Sequence, residues 1–268
     1  GEAASIRILD RSAVELDLGA LGFDAEFRRQ WSRILRRPNG IVLVTGPTGS
    51  GKTTTLYASL QELNTADRKI VSIEDPVEYR IAGINQIQIK PEIGLTFAAA
   101  FRSVLRHDPN IVFVGEIRDA ETAKIAVQAA LAGRLVLSTL HTNSAAGAVT
   151  RLLDMGAEDY LLGSTLAGVL AQRLVRKRCQ HCFGHARPPD APCKMCDGAG
   201  YAGRTVVHEL LTMTEEIETL IVRRAGARAI HAAATGSGMV SLWNDGLRLV
   251  KQGLTSQSEL SRVVLEEA

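Results

Sequence analysis

Aromatic residues make up only 4% of this 268-residue chain, and no apolar run approaches the ~20 residues that a membrane-spanning helix needs. The scarcity of aromatic side chains argues against a surface on which the bases of a nucleic-acid strand would stack. With 31 basic and 29 acidic residues the net charge is only +2, so no overall field attracts nucleic acid or acidic lipid. These absences leave an ordinary globular protein, which we expect in a reducing cytosol.

The first residues have neither the pattern of a signal peptide nor an initiator methionine. Strand-like sequence begins almost at once, at 5–10, and resembles the last strand of a domain that lies upstream. We therefore expect the chain to be a fragment of a longer protein.

Short apolar segments then alternate with segments of helical spacing. The predicted strands are 41–45, 69–74, 111–115 and 134–139. The predicted helices are about 52–64, 97–106, 119–132 and 144–155. This alternation predicts an α/β fold in which helices cover both faces of a mostly parallel sheet, with ligands bound at the carboxyl ends of the strands. We also expect helices at 24–37 and 158–173, a β-hairpin at 79–90, a short strand at 205–211 and amphipathic helices from Glu215 onward.

Glycine and hydroxyl residues mark a candidate phosphate-binding loop. Its residues are Gly46, Pro47, Thr48, Gly49, Ser50, Gly51, Lys52, Thr53 and Thr54. The segment fits the pattern GxxxxGK[ST] and lies between a predicted strand and a predicted helix, as that pattern requires. Backbone N–H groups would surround a β-phosphate, Lys52 would bridge the β- and γ-phosphates, and the Thr53 hydroxyl would bind Mg²⁺. The loop predicts binding of a nucleoside triphosphate, with ATP and GTP both open.

Acidic residues lie at or just after the ends of two predicted strands and could catalyse hydrolysis of the bound nucleotide. Glu116 follows an apolar strand, with Gly115 at the place where an aspartate usually stands. Glu74 ends the strand at 69–74. By position Glu74 is the better candidate for orienting water and Glu116 for holding Mg²⁺, although the two roles could be exchanged. His141 follows another strand and could contact the γ-phosphate, or it could be a structural hydrogen-bonding residue.

All four cysteines fall within 18 residues, as two CxxC pairs separated by ten residues. They are Cys179, Cys182, Cys193 and Cys196. This spacing predicts one tetrahedral Zn²⁺ site held by four thiolates. Large apolar residues are almost missing from the loop, so metal binding would supply its folding energy. A redox CxxC pair is the alternative, and His181 or His185 could replace a cysteine or be solvated.

Four segments together resemble the motifs of one family. They are GPTGSGKTTTL at 46–56, VSIEDPVEY at 71–79, RHDPNIVFVGEIRDAETA at 106–123 and LVLSTLHTNSA at 135–145. They resemble the Walker A, Asp, Walker B and His boxes of type II/type IV secretion ATPases, and the resemblance covers about residues 1–265. That superfamily drives protein secretion, type IV pilus extension and retraction, and DNA uptake.

The resemblance implies a RecA-like P-loop NTPase core with a small zinc-binding module and a C-terminal helical subdomain. Glu74, Glu116 and His141 would be catalytic, with Glu116 and Thr53 holding Mg²⁺. The segment SIRILDRS at 5–12 is similar to the end of the family's N-terminal domain, so Arg7 is its best match to an arginine finger. The implied divisions are 1–12 (remnant of an upstream domain), 13–38 (linker and helix), 39–175 (ATPase core), 176–204 (tetracysteine module) and 205–268 (helical subdomain).

The cysteine region narrows the expected function. LAGVLAQRLVRKRCQHC at 166–182 and CKMCDGAGYAGRTVVHELL at 193–211 resemble the tetracysteine region of the secretion and pilus-assembly branch. We expect Mg²⁺-dependent ATP hydrolysis that powers pseudopilus assembly for type II secretion. The alternatives are a type IV pilus assembly ATPase, a nucleic-acid motor, or an assembly protein that binds ATP but barely hydrolyses it. The family also implies a homohexamer in the full-length protein, inner-membrane platform proteins as partners, no nucleic acid, and a cytoplasmic location at the inner membrane.

Overall fold

The computed structural model describes residues 17–184 and 193–266. The predicted segment 1–12 with Arg7, and His185 of the cysteine loop, lie outside these residues. Within the described ranges, no helix is long and apolar enough to span a bilayer.

Seven strands form one sheet in the order β3-β2-β4-β5-β1-β6-β7. They are β1 (Gly40–Thr45), β2 (Ile70–Glu74), β3 (Asn85–Gln88), β4 (Ile111–Val114), β5 (Leu135–Leu140), β6 (Leu166–Arg178) and β7 (Tyr201–Thr212). Every neighbouring pair is parallel except β6 and β7, which are antiparallel. The predicted α/β class with a mostly parallel sheet is confirmed.

Ten α-helices surround the sheet within the described ranges. They are α1 (Ala25–Leu35), α2 (Lys52–Leu63), α3 (Phe97–Leu105), α4 (Ala120–Leu131), α5 (Ala145–Asp154), α6 (Asp159–Thr165), α7 (Glu215–Val222), α8 (Ala227–Gly236), α9 (Leu242–Lys251) and α10 (Gln257–Val263). Polar side chains accept hydrogen bonds from first-turn N–H groups at many helix starts, for example Asp24 at α1 and Ser144 at α5. These caps explain why the predicted helix starts are close to the observed ones.

Two apolar cores lie on opposite faces of the sheet. Helices α1 and α2 bury Trp31 and Tyr57 on one face. Helices α3 to α5 pack on the other face, where the C-terminal helices continue the same core. The central strand β1 is buried along its whole length, because its side chains alternate between the two cores.

Two predictions along the chain are wrong. The predicted hairpin at 79–90 is instead a crossover followed by β3, which runs parallel to β2 with Ile87 opposite Ile73. The hairpin was predicted because Tyr79, Ile81, Ile87 and Ile89 alternate with polar residues. This alternation has a different cause, since Ile81 is buried in the core beside α1 and α2 and Ile89 in the core on the opposite face of the sheet. The predicted helix at 158–173 stops at Thr165, and β6 begins at Leu166. Because β6 is buried on both faces, its nearly continuous apolar run does not distinguish a strand from a buried helix.

A buried carboxylate joins β6 to the C-terminal helices. Glu259 of α10 has a fully buried side chain and accepts hydrogen bonds from the Arg176 backbone and guanidinium and from Arg262. The hydrogen bonds from Arg262 and Arg176 lower the pKa of Glu259 to about 2. Next to it, the Arg178 N–H donates to the Leu254 carbonyl at 2.8 Å. The end of β6 is thereby attached to the segment between α9 and α10.

These contacts predict a pH-dependent loss of stability. Because the pKa of Glu259 is lower in the folded protein than in the unfolded chain, its contribution is complete above the unfolded value and is lost as pH falls from about 4.5 towards 2. Glu259→Gln should lower the thermal midpoint at pH 7 by roughly 3–8 °C. The difference from wild type should shrink between pH 5 and pH 3 when unfolding is followed by circular dichroism.

The exposed pair between Glu26 and Arg29 on α1 offers a matched control. Glu26→Gln should leave the midpoint almost unchanged at every pH, since exposed ion pairs contribute little. A midpoint of Glu259→Gln equal to wild type at pH 7 would contradict the assigned role.

Candidate active site

The predicted phosphate-binding loop joins β1 to α2, with Lys52 as the first residue of the helix. Gly51 precedes the helix in a left-handed conformation with φ of +88°. A Cβ on Gly46 would lie 2.6 Å from the Gln172 carbonyl oxygen, so the backbone has no room for a side chain there. The two glycines allow the chain to turn tightly above the sheet, which leaves the helix N-terminus facing outward.

Lys52 is buried inside this loop. Its Nζ donates to the Gly46 carbonyl at 2.7 Å and to the Pro47 carbonyl at 3.0 Å. Burial lowers the pKa of Lys52 to about 8, although Glu116 acts in the opposite direction. The ammonium group is therefore charged at neutral pH and poorly hydrated, which strengthens its attraction for an anion.

Glu116 lies just beyond β4, at the edge of the sheet that also carries the loop. Its carboxylate accepts a hydrogen bond from Arg118, and its Oε2 lies 3.6 Å from His141 Nε2. The pKa of His141 is lowered, first by burial and then by the positive charge of Lys52. His141 is therefore neutral at pH 7, with one ring nitrogen able to donate and the other able to accept a hydrogen bond.

Glu74 ends β2 and is almost completely buried. Its carboxylate accepts hydrogen bonds from the Tyr57 hydroxyl, from Ser72 Oγ at 2.5 Å and from Gln86 Nε2 at 3.1 Å. Burial and the hydrogen bond to Glu74 raise the pKa of Tyr57, which remains a neutral donor. Three donors hold the orientation of the Glu74 carboxylate.

One cleft of about 400 Å³ brings these residues together. Its lining includes Lys52 and Thr53 of the loop, both candidate acids, and His141. Thr48, Gly49, Gly51 and Thr54 also line it, whereas Gly46, Pro47 and Ser50 belong to the loop but not to the cleft lining. The predicted residues from four separate segments thus share one site, while their individual roles stay predictions.

Sequence reasoning did not include Arg204, which also lines this cleft. Arg204 lies on β7, opposite Arg176 of β6. Its only signal in the sequence was its place shortly after the last cysteine. Residues 166–173 were predicted as helix, so the pairing of β6 with β7, which carries Arg204 to the cleft, was not predicted.

The four cysteines form a second, separate cluster. Their sulfur atoms all lie within 4.8 Å of one another and the residues are buried. Cys179 Sγ is 3.8 Å from Cys193 Sγ, and Cys182 Sγ is 3.6 Å from Cys196 Sγ. A tetrahedral zinc with Zn–S bonds of about 2.3 Å requires sulfur–sulfur separations of about 3.8 Å. The thiol geometry therefore fits Zn²⁺, and His181, with Nδ1 3.4 Å from Cys193 Sγ, is exposed beside the cluster.

Comparison with known proteins places this geometry in context. Residues 1–262 match the family model described as "Type II/IV secretion system protein". The chain is 51% identical to "Type II secretion system protein E" of Xanthomonas campestris pv. campestris, over 98% of this chain and 50% of the relative. It is 49% identical to "Type II secretion system ATPase E" of Vibrio cholerae serotype O1, over 99% of this chain and 56% of the relative. The chain thus spans about half the length of the curated relatives it matches.

A solved structure supports the same assignment. The pilus retraction motor PilT with bound ADP has a TM-score of 0.77 and 30% identity, and the match covers 97% of this chain and 69% of PilT. The predicted family is confirmed by the sequence match and by this likeness. The chain belongs to the type II/IV secretion system protein family.

Proposed function

We propose that this chain is the motor module of a type II secretion ATPase, which binds and hydrolyses Mg²⁺·ATP to power pseudopilus assembly. The observation that carries the proposal is the cleft that joins Lys52, Glu74, Glu116 and His141. The relative in Vibrio cholerae is named an ATPase, and several others that are 46–51% identical are named type II secretion proteins E. A type IV pilus assembly motor is the second candidate, since the tetracysteine segments at 166–182 and 193–211 resemble the pilus-assembly branch as well as the secretion branch.

The geometry of the cleft supports a separate role in ATP binding or hydrolysis for the loop, Lys52, Glu74 and His141. The loop N–H groups and the Lys52 ammonium would bind the phosphates, because they present positive partial or full charge in a partly desolvated pocket. Glu74, held by three donors, would orient the water that attacks the γ-phosphorus. Neutral His141 would donate a hydrogen bond to a γ-phosphate oxygen and so distinguish ATP from ADP.

Magnesium fits the residues of the cleft. The Thr53 hydroxyl and the Glu116 carboxylate both line it, and oxygen donors of this kind are the ligands that Mg²⁺ prefers. Bound there with the phosphates, Mg²⁺ would neutralise charge that develops on their oxygens. Glu116 also contacts Arg118 and His141, so its carboxylate would link the metal ligands to the γ-phosphate sensor.

The remaining assignments extend the same proposal to the full-length protein. Arg7 would act as an arginine finger from the upstream domain. The protein would work in the cytoplasm as a homohexamer, peripheral on the inner membrane through platform proteins of the secretion system. We propose no nucleic-acid partner, since the net charge is only +2 and aromatic residues are few.

Substitution of the proposed metal ligand tests hydrolysis separately from binding. Glu116→Gln should reduce phosphate release by on the order of 100-fold or more, because it removes the charge that holds Mg²⁺ and orients the site. Affinity for a fluorescent ADP analogue should change by less than about threefold, since the loop and Lys52 hold the β-phosphate. Malachite-green assays and fluorescence titration measure the two quantities. The exposed Glu92→Gln serves as the control, and unchanged phosphate release in Glu116→Gln would remove the assignment.

The lowered pKa of Lys52 predicts an unusual pH profile for nucleotide binding. A solvent-exposed lysine stays charged to about pH 10, whereas Lys52 loses its proton near pH 8. ADP affinity should therefore fall as pH rises from 7.5 to 9.5, a range in which the phosphates are already ionised. Isothermal titration calorimetry at constant ionic strength measures this, and affinity that stays flat to pH 9.5 would contradict the buried ammonium.

The cysteine cluster predicts about one zinc per chain in protein purified with reductant and without chelator. Cys193→Ser should lose most of the metal and lower the thermal midpoint, because a tetrathiolate site is structural. Plasma emission spectroscopy measures the metal content. Zinc near zero in the wild-type protein would exclude this assignment and favour the redox alternative.

A further inference from the structure

Gln172 of β6 is buried against the back of the phosphate-binding loop. Its Nε2 donates to the Ser50 carbonyl at 2.7 Å, and its Oε1 accepts from Thr55 Oγ1 at 3.0 Å. The Ser50 carbonyl can only accept, so the orientation of the amide is determined. One side chain thus joins the loop, the first turns of α2 and the neighbouring strand.

The loop and β6 are packed without spare room at this point. A Cβ on Gly51 would lie 3.1 Å from Gln172 Nε2, and a Cβ on Gly46 would overlap the Gln172 carbonyl oxygen. Further hydrogen bonds join this point to α1, because Ser59 Oγ donates to the Thr55 carbonyl and accepts from Trp31 Nε1. Buried hydrogen bonds therefore extend from α1 through α2 and Gln172 to the loop.

The next residue of the strand, Arg173, holds a different loop. Successive side chains of a strand point to opposite faces, and Arg173 lies on the face of α5 and the C-terminal helices. Its Nη2 donates to the Asn143 carbonyl at 2.9 Å, and its Nη1 donates to the Gln172 carbonyl at 3.0 Å. Asn143 belongs to the loop that follows β5 and carries His141. Arg173 is buried, and its charge acts on Lys52 as well as on Glu209.

The phosphate-binding loop and the His141 loop also contact each other where they leave the sheet. Thr45, the last residue of β1, accepts a hydrogen bond from the Thr142 N–H at 2.9 Å through its Oγ1. β6 makes side-chain hydrogen bonds to each loop with one of two consecutive residues, Gln172 to the phosphate-binding loop and Arg173 to the His141 loop. Arg173 Nη1 also packs near Gly46, 3.2 Å from where a Cβ would stand. No other strand in the described ranges makes hydrogen bonds to both loops through adjacent side chains.

We propose that Gln172 and Arg173 are positioning residues that set the phosphate-binding loop and the His141 loop relative to one another. Gln172 holds the loop that binds the β-phosphate, and Arg173 holds the loop that contacts the γ-phosphate. This inference rests on the proposed nucleotide site. It predicts that the two residues affect nucleotide binding in different ways, which a purely structural role for both would not produce.

For Gln172 we expect a loss that is common to both nucleotides. Gln172→Leu leaves the Ser50 carbonyl and the Thr55 hydroxyl without their partner, so the loop loses its orientation. Affinity for ADP and for ATPγS should each fall roughly tenfold, measured by fluorescence titration with Mg²⁺. Thr55→Val should give a smaller loss of the same kind, and the double variant should be no weaker than Gln172→Leu alone.

For Arg173 we expect a loss that depends on the γ-phosphate. Arg173→Gln releases the Asn143 carbonyl and with it the loop of His141. Affinity for ATPγS should fall about tenfold more than affinity for ADP, because ADP loses only the electrostatic effect of the Arg173 charge at the loop. The ratio of the two affinities is therefore the diagnostic quantity.

Thr165→Val is the matched control, since it removes the hydrogen bond from Thr165 Oγ1 to the Leu161 carbonyl in the last turn of α6, at the end of β1 opposite to both loops. It should leave both affinities unchanged, and circular dichroism should show each variant folded at the assay temperature. A Gln172→Leu variant that is folded with wild-type affinity, or an Arg173→Gln variant that weakens ADP and ATPγS equally, would overturn the inference. Failure of the wild-type protein to bind either nucleotide would instead overturn the proposed function, and the inference with it.

Discussion

The parallel pairing of β2, β4, β5 and β1 is the constraint on which the site depends. Hydrogen-bonded register places Ile73 opposite Val114, Val114 opposite Ser138 and Val44 opposite Thr139. All four strands therefore end at nearly the same level on one edge of the sheet. Residues that immediately follow these strands are brought together although they are far apart in sequence, as expected for doubly wound sheets.

Burial then determines how the charged groups of the cleft act on each other. Lys52 donates to loop carbonyls, and burial together with the positive charge of Lys52 lowers the pKa of His141. The partly desolvated ammonium of Lys52 attracts an anion, whereas the neutral imidazole of His141 adds no second positive charge beside it. Glu74 is further from bulk water and is held by neutral donors, which explains how a carboxylate is accommodated in the sheet. The two acids therefore differ in environment, one facing cations and the other facing hydroxyl and amide groups.

The sequence predicted the features that depend on local pattern. Apolar β-branched runs located β1, β4 and β5, and the loop motif located the start of α2 to the residue. The CxxC spacing predicted the cysteine cluster, because each pair forms a short turn that brings its two sulfur atoms together. The strand β6 was not predictable in the same way, because burial on both faces gives an apolar run without a period. Residues that act from β6 and β7, namely Gln172, Arg173 and Arg204, were therefore missed together.

The position of β6 has a consequence for how the cysteine module is attached. The predicted boundary after residue 175 falls inside β6, and the boundary at 205 falls inside β7. One strand thus supports the phosphate-binding loop at Gln172, is bound by Glu259 at Arg176 and leads directly into Cys179. β6 pairs with β1 from Leu166 to Ala171 and with β7 from Gly168 to Arg178. The residues from Gln172 to Arg178 therefore continue a paired strand, with β7 as their partner, and no separate linker joins the phosphate-binding loop's neighbour strand to the cysteine cluster. The helical subdomain and the cysteine module are thus both attached directly to the strand that supports the candidate phosphate-binding loop.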